Sequence, residues 1–238
     1  WEESGGSGVS VPGAAGRNVV KTKASEDFTL VLPLEALKAG TDYRYRVLPL
    51  DGSGLDPGAL RKNTAEWSGR FGTAPPPEHA AKVRFIWSAD LGGQQRCRQG
   101  DAGYPIFDRM REVQPMFGVL LGDLIYADDR CPSPPNEPGG DFLATTLDQF
   151  RAKHRYQRGA AALQRFLANV PVYVTWDDHE VHNTFSGPYD PLTPMGQQAL
   201  LEYWPIQRSS LDAGRLYRSI RWGRTLELFL LDTRQYRD

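Results

Sequence analysis

The stretch VPVYVTWDDHEVHN, residues 170–183, joins a short apolar run directly to a cluster of acidic residues and histidines. Its first half, from Val170 to Trp176, has the β-branched and aromatic residues of a buried strand. Solubility alone does not require two aspartates, a histidine and a glutamate at the end of such a strand. The DDHE cluster therefore indicates a functional site at a strand end.

Two earlier strands end in the same way. Val83 to Ser88 is followed by Asp90, and Met116 to Leu121 is followed by Gly122-Asp123. Because the loops at the carboxyl ends of strands in an α/β sheet build one crevice, we expect these carboxylates to converge. The other elements of this α/β segment are helical patterns at 106–113 and 148–168 and a strand at 226–231.

Residues 1–76 are predicted to form a separate, all-β unit. Alternating patterns mark strands at Phe28–Leu32, Tyr43–Val47 and Trp67–Thr73. The pattern GTDYRYRV around the second strand is found in fibronectin-type sandwiches, where a tyrosine anchors the corner between two strands. Consecutive prolines then form a stiff linker. We therefore expect an incomplete fibronectin-III-like β-sandwich at 1–76 and the α/β domain at 77–238.

Composition excludes several classes of function. The chain has 238 residues and a net charge of -1, from 28 basic and 29 acidic residues, which leaves no electrostatic footprint for nucleic acid or an anionic membrane. Its apolar runs are far too short to span a bilayer. No signal peptide is visible at the N-terminus, and a processed N-terminus would look the same.

Cys97 and Cys131 both lie in polar surroundings rich in proline and glycine. An exposed pair of this kind can form a disulfide in an oxidising compartment, and two unpaired thiols are the alternative. Both cysteines lie in loops that follow strand ends, so we expect them close together at the rim of the site.

The three strand ends supply hard oxygen ligands. Hard cations bind such oxygens, and mixed sets of carboxylate, phenolate and imidazole suit iron, manganese or zinc. A lone aspartate after a strand is usually a turn former or an N-cap. Several carboxylates in one crevice, however, would repel one another without cations. The ordered set therefore predicts a metal site.

Three motifs resemble one family. They are GDLIY at Gly122–Tyr126, WDDHEVHN at Trp176–Asn183 and LDTRQYR at Leu231–Arg237. Together they resemble the PhoD-like alkaline phosphatases, which belong to the calcineurin-like metallophosphoesterases. The resemblance covers essentially the whole chain, since a sandwich before the catalytic domain belongs to the same architecture. It implies an α/β (α+β sandwich) metallophosphoesterase fold and hydrolysis of phosphate esters by a dinuclear metal centre.

The resemblance also implies roles for single residues. Asp123 matches the carboxylate that bridges two metals, and Tyr126 matches the phenolate that marks a ferric site. Asp90 and Asp178 fall at further metal-ligand positions, and His179 matches the histidine that approaches the phosphate and stabilises the transition state. The implied metals are Fe³⁺ with Ca²⁺, or alternatively Zn²⁺ or Mn²⁺.

Weaker roles concern the neighbours of these residues. Arg234 clamps phosphate, forms an ion pair with Asp232 or has a structural role. His154 is expected to be a solvated surface residue on a polar helix face. The residues expected to orient neighbours or to contact substrate are Asp177, Glu180, His182, Asn183 and Arg234.

The sequence departs from the family pattern at two points. Many relatives carry a cysteine where this chain has Asp90, and Cys97 is a poor substitute for it. The late family motif GDxH is absent from the 238 residues. We therefore expect a second polypeptide segment to complete the metal cage and to cover an apolar edge at the strand 226–231.

Three functional hypotheses follow. The first is two-metal hydrolysis of a phosphate ester, in which the metals make hydroxide available and His179 donates a proton or stabilises charge. The second is a phospholipase D-type phosphodiesterase on the same fold, and the third is a non-catalytic binding protein with a degenerate metal site. We expect loops 131–141 and 185–196 to line the substrate pocket, and the protein to be secreted or periplasmic.

Overall fold

The N-terminal part of the chain folds as a three-stranded antiparallel sheet. The strands are β1 (Glu2–Glu3), β2 (Asp42–Val47) and β3 (Trp67–Gly72), in the order β1-β2-β3. Tyr43 of β2 stacks on Phe71 of β3 with ring centroids 5.4 Å apart, and its hydroxyl accepts a hydrogen bond from the Lys38 N–H at 2.8 Å. The strands predicted at 43–47 and 67–73 are confirmed. The computed structural model describes residues 2–3, 20–47, 67–187 and 189–237.

The strand predicted at Phe28–Leu32 is wrong. Phe28 follows a 3-10 turn at Ala24–Glu26, has a φ of 57° and is 66% exposed. A left-handed residue at its start interrupts an extended strand, and no described strand pairs with the segment. The fibronectin-III-like sandwich and a domain boundary between residues 76 and 77 stay predictions.

A parallel sheet carries the strand ends that bear the acidic residues. The elements of this part are β4 (Phe85–Ser88), α1 (Ile106–Glu112), β5 (Phe117–Leu120), α2 (Leu147–Arg158), α3 (Ala161–Asn169) and β6 (Val172–Val174). The strands pair in the order β4-β5-β6, all parallel. The predicted α/β segment is confirmed, although the helical pattern at 148–168 forms two helices because the first ends at Gly159. No described helix has the length and apolar character needed to cross a membrane.

The two faces of the parallel sheet pack against different partners. On one face, Leu120 belongs with Phe166 of α3 to the main core. On the other face, Phe117 packs against Trp222 with ring centroids 4.5 Å apart. The remaining elements are α4 (Thr193–Tyr203), β7 (Arg218–Trp222) and β8 (Leu226–Leu230), of which β7 and β8 form an antiparallel hairpin. Helices on one face and a hairpin on the other leave the carboxyl ends of the strands open.

An apolar part of the surface stays uncovered by the described residues. Trp87 of β4 is 68% exposed, Phe229 of β8 is 70% exposed, and Leu231 directly after β8 is 65% exposed. This exposure agrees with the uncovered apolar edge expected at the strand 226–231.

His154 lies in the interior, so the expectation of a solvated surface position is wrong. The residue lies on α2, is 1% exposed and stacks on Tyr203 of α4 with ring centroids 5.2 Å apart. Its Nε2 has no hydrogen-bond partner among the described residues. Burial lowers the pKa of His154 to about 3, and the positive charge of Arg158 acts in the same direction.

His154→Phe should reduce the loss of stability at low pH. Between the folded pKa of about 3 and the unfolded value of 6.5, the unfolded chain binds a proton that the folded chain does not, so the free energy of unfolding falls as pH falls. In the variant, the slope of the free energy of unfolding against pH should be smaller than in the wild type by up to ~1.4 kcal/mol per pH unit. Urea unfolding from about pH 7 to about pH 4, with a chelator present, measures this. His79→Phe, at an exposed histidine, is the control, and equal slopes in His154→Phe and the wild type would contradict a buried neutral imidazole.

Candidate active site

The three parallel strands end at one level of the sheet. Ser88 pairs with Leu120, and Leu120 pairs with Val174, so the three following loops begin side by side. This register explains why carboxylates that are far apart in sequence meet. The acidic residues that the loops bring together are Asp90, Asp123 and Asp178.

Two of the three loops turn sharply through left-handed residues. Asp90 has a φ of 58° and Asp123 a φ of 53°, a region that aspartate tolerates better than most residues. Gly122, at a φ of 102°, approaches the third loop so closely that a Cβ atom would lie 2.2 Å from the backbone nitrogen of Asp177. The Gly-Asp pair of the second motif is therefore required both for the turn and for the close approach.

Glu180 connects the second and third loops through its carboxylate. The residue is fully buried, and its two oxygens accept hydrogen bonds from the backbone N–H groups of Asp123 (3.1 Å), Leu124 (2.6 Å) and Asp177 (2.9 Å). Burial raises the pKa of Glu180 to about 8, and the charge of Asp123 acts in the same direction, while the three N–H donors oppose it. These are the contacts of a residue that orients its neighbours.

Asp123, Asp178 and His179 bring potential ligand atoms within 4.8 Å of one another. Asp123 is buried, and its Oδ1 accepts a hydrogen bond from the backbone N–H of His179 at 3.3 Å. Burial raises the pKa of Asp123 to about 6, and the charge of His179 opposes this only in part. Carboxylates this close together in a buried place are favourable when a cation shares their charge.

Tyr126 adds a phenol to the cluster. Its hydroxyl oxygen lies 3.2 Å from Asp90 Oδ1 and 3.3 Å from Asp123 Oδ2. Burial and these two carboxylates raise the pKa of Tyr126, so the phenol stays protonated unless a cation replaces its proton. Asp123 thus belongs to two donor groups, one with Asp90 and Tyr126 and one with Asp178 and His179. Such a set of oxygens with one imidazole fits hard or borderline metal cations.

His179 is oriented by Asp128, a residue outside the motifs that predicted the site. The Nδ1 atom of His179 lies 2.7 Å from Asp128 Oδ1, and the other oxygen of Asp128 accepts the N–H of Asn183 at 2.7 Å. The imidazole also stacks on Tyr126 with ring centroids 4.4 Å apart. Burial alone would lower the pKa of His179, but the contact with Asp128 outweighs it and the pKa rises to about 9. The position of Asp128 two residues after Tyr126, in the same loop, is a signal that could have identified it.

Arg234 forms its ion pairs with the third loop and not with Asp232, so the alternative of an Asp232 ion pair is wrong. Its Nε lies 2.5 Å from Asp177 Oδ1, and its Nη2 lies 3.4 Å from Asp178 Oδ1. Asp232 instead accepts hydrogen bonds from the backbone N–H of Arg234 at 3.0 Å and from the indole N–H of Trp176 at 2.9 Å. The guanidinium therefore neutralises part of the acidic charge of the third loop.

His182 and Asn183 lie outside the ligand group. His182 Nε2 lies 2.5 Å from Asp190 Oδ2, and its Nδ1 lies 2.9 Å from the backbone oxygen of Asn183. Asn183 lines the crevice, where its N–H is donated to Asp128. His182 thus belongs to the hydrogen bonds of its own loop, while Asn183 supports the residue that orients His179.

The crevice has a volume of about 1090 Å³. The acidic residues and His179 form one side of it, and the loop 92–105 forms much of the other. The described residues of 131–141 and 185–196, which were predicted to form pocket walls, do not line this crevice. In the second segment the chain has already entered α4 at Thr193. In the first, the buried Asn136 bonds to the loop 92–105 instead of facing the crevice.

Cys97 and Cys131 form a disulfide with Cα atoms 5.8 Å apart. Cys97 lines the crevice, so the expectation that the two cysteines lie together at its rim is confirmed. The alternative of two unpaired thiols is wrong. The bond ties the loop 92–105 to the loop that follows Tyr126.

Glu180→Ala should destabilise the fold strongly, because it leaves three buried N–H groups without an acceptor. Each such donor costs about 1–3 kcal/mol, so we expect a loss of more than ~3 kcal/mol in the free energy of unfolding. Glu180→Gln keeps the shape and one acceptor oxygen and should lose about 1–3 kcal/mol. Urea denaturation of the metal-free protein measures both, with Glu227→Ala at an exposed position of β8 as the control. A loss in Glu180→Ala no larger than in the control would contradict the role of this carboxylate.

Comparisons with known proteins agree on one family. A family model described as PhoD-like phosphatase matches residues 89–238. Alkaline phosphatase D of Bacillus subtilis (strain 168) is 37% identical over 194 residues, which cover 71% of this chain and 31% of that protein. A solved structure of PhoD superposes with a TM-score of 0.71 at 25% identity, covering 93% of this chain and 44% of that one.

The matched region includes the three loops that carry the acidic residues. The family model covers more than half of the chain, from residue 89 onward, and therefore takes in Asp90, Asp123 and Asp178. The chain spans less than half the length of either relative. The extent of the family match and the identity to the Bacillus protein show that the chain belongs to the PhoD-like phosphatase family.

Proposed function

We propose that the chain carries the greater part of the active site of a metal-dependent phosphate-ester hydrolase with a dinuclear centre. The observation that carries this proposal is the convergence of Asp123, Asp178 and His179 at the ends of parallel strands, with ligand atoms within 4.8 Å of one another. Membership of the PhoD-like phosphatase family supports hydrolysis of a phosphate ester as the reaction.

The two donor groups that share Asp123 are proposed to hold two metal ions. Asp90 and Tyr126 would serve the first, and Asp178, with His179 beside it, the second. Bound metals would supply a hydroxide near neutral pH and stabilise charge on the phosphate. A phenol between two carboxylates supports Fe³⁺ at the first position, and the oxygen-rich surroundings support Ca²⁺ at the second, with Zn²⁺ or Mn²⁺ as alternatives.

His179 is the residue proposed to contact the reacting phosphate. Asp128 holds the proton at Nδ1, so Nε2 is the ring nitrogen left for the crevice. A ring kept protonated in this way can donate a hydrogen bond to the phosphate and a proton to the leaving oxygen. A fixed orientation of the imidazole favours both steps, since little reorganisation is then needed in the transition state.

Asp177, Glu180 and Arg234 are proposed to position the acidic loops. Arg234 is already paired with Asp177 and Asp178, which leaves it poorly placed to clamp phosphate. Glu180 is fully buried and bonded to backbone N–H groups, so it has no access to substrate.

Polypeptide beyond these 238 residues is proposed to complete the metal cage. Four proposed protein ligands are few for two hard cations that each take about six. The exposed Trp87 and Phe229, and the greater length of the two relatives, support a further segment that packs against exposed strand residues. The disulfide supports a secreted or periplasmic location. Residues 1–76 are proposed to form a unit separate from 77–238.

Asp123→Asn should remove most of the bound metal and lower phosphate-ester hydrolysis by at least ~100-fold, because both donor groups lose a negative charge. The measurement uses the chain together with the polypeptide that continues it, and records metal content, phosphate release and the visible band expected of a phenolate bound to Fe³⁺. Asp101→Asn, at an exposed aspartate outside the crevice, is the control. A wild type without metal and without hydrolysis would support a non-catalytic binding protein instead.

Asp128→Asn should slow hydrolysis by about 10- to 100-fold and leave the metal content unchanged. Asparagine can still accept a hydrogen bond from His179 Nδ1, but it lacks the charge that keeps the ring protonated. Measured kcat and metal content separate this effect from that of Asp123→Asn, with Asp141→Asn at an exposed position as the control. An unchanged kcat would contradict the orienting role, and loss of metal would show that Asp128 is itself a ligand.

A further inference from the structure

Arg96 lies in the wall of the crevice without a partner in the part of the chain that the structure describes. Its side chain is exposed, lines the crevice and makes no hydrogen bond or ion pair with a described residue. The two arginines that flank the disulfide differ from it. Arg98 donates to the backbone oxygen of Tyr156 at 2.8 Å and lies over its ring, and Arg130 pairs with Asp141 at 3.8 Å. Arg96 is thus the guanidinium of this rim that remains available to a ligand.

The backbone on both sides of Arg96 is held in place. The N–H of Gln95 donates to Asp129 Oδ2 at 3.0 Å, and the N–H of Cys97 donates to Asn136 Oδ1 at 2.9 Å. The buried Asn136 also donates to the backbone oxygen of Gln95 at 2.8 Å, and Cys97 is in the disulfide. The fixed backbone keeps Arg96 at the wall of the crevice, and its side chain needs no bond to be broken before it binds a ligand.

The chain reaches Arg96 through a turn that packs on the proposed metal ligands. The residues from Gly92 to Gln95 all have positive φ, between 48° and 100°, which glutamine adopts rarely. A Cβ atom at Gly93 would lie 2.3 Å from the ring of Tyr126. The turn therefore brings Arg96 into the same crevice as the acidic cluster.

Arg96 places a positive charge in the wall of a crevice that carboxylates also line. Asp90, Asp123, Asp128 and Asp129 also line the crevice, yet none of them forms an ion pair with Arg96. A volume of about 1090 Å³ accommodates a ligand much larger than a phosphate group. Guanidinium groups bind phosphates and carboxylates through paired N–H donors. Room for a larger ligand and a free anion-binding group thus occur in one crevice.

We propose that Arg96 binds a second anionic group on the leaving part of the substrate, away from the phosphate that is hydrolysed. Arg96 is then a specificity-determining residue that selects phosphate esters with a distal acidic group. The inference rests on the proposed function, since it assumes that the reacting phosphate lies beside Asp123 and His179.

The kinetic test compares two substrates that differ only in the distal group, the monophosphate and the bisphosphate of pentane-1,5-diol. In the metal-loaded protein, Arg96→Gln should lower kcat/KM for the bisphosphate by about 10- to 100-fold, mainly through a higher KM. Its kcat/KM for the monophosphate should stay within about 2-fold of the wild-type value. Arg96→Lys should recover part of the loss, because it keeps the charge without the paired donors. Arg130→Gln, at an arginine paired with Asp141, is the matched control and should behave as the wild type.

A binding measurement separates this proposal from the proposed function. Pentane-1,5-bisphosphonate and pentylphosphonate cannot be hydrolysed, and calorimetry gives their affinities for the wild type and for Arg96→Gln. Weaker binding of the bisphosphonate alone supports the role of Arg96 even if no hydrolysis is found, in which case only the proposed reaction is wrong. An equal loss for both ligands, or no loss for either, would overturn the proposal.

Discussion

The buried carboxylate of Glu180 bonds to both of the loops on which the site depends. Glu180 accepts N–H groups from Asp123 and Leu124, after β5, and from Asp177, after β6. Parallel pairing brings the strand ends to one level, but it does not determine how the loops beyond them fold. Glu180 contributes three hydrogen bonds to this arrangement, and Asp123 and Asp128 contribute further bonds to the third loop. The missing side chain of Gly122 leaves the space in which the two loops meet.

This arrangement concentrates negative charge that the chain's own cations balance only in part. Burial raises the pKa of Asp123 to about 6 and that of Glu180 to about 8, and neighbouring aspartates act in the same direction. Arg234 pairs with Asp178 and with its neighbour in the third loop, and His179 pairs with an aspartate after β5. Metal ions would balance the rest of the charge, and the same ions would attract a phosphate ester. The concentrated negative charge would therefore account both for the binding of metal ions and for the proposed hydrolysis.

The acidic core of the site could be predicted from the sequence, because the end of a strand determines which edge of the sheet a residue reaches. Asp123 and Asp178 were identifiable on that ground alone. Asp128 was not, since its contact with His179 depends on how the loop after β5 folds back against the loop after β6. Arg96 was not either, because four left-handed residues before it place it in the crevice, and a strand pattern contains no information about such a turn.

Two errors in the helical part of the fold come from tertiary contacts. His154 lies among polar residues of α2, but α4 covers it, and α4 itself was overlooked because Pro194 and Gly196 weaken its helical pattern. Gly196 is required there, since a Cβ atom would lie 2.5 Å from the backbone oxygen of Glu180. Local propensity was thus outweighed by the need to pack a helix against the loop of the site.

Asp123 is proposed to be shared by two metal ions. X-ray diffraction from crystals grown with iron and calcium, with anomalous scattering recorded for each element, would locate these ions. We expect two cation peaks, each about 2.0–2.6 Å from an oxygen of Asp123. Crystals without a cation near Asp123, or with cations held elsewhere while Asp123 keeps only its hydrogen bonds to Tyr126 and His179, would contradict this proposal.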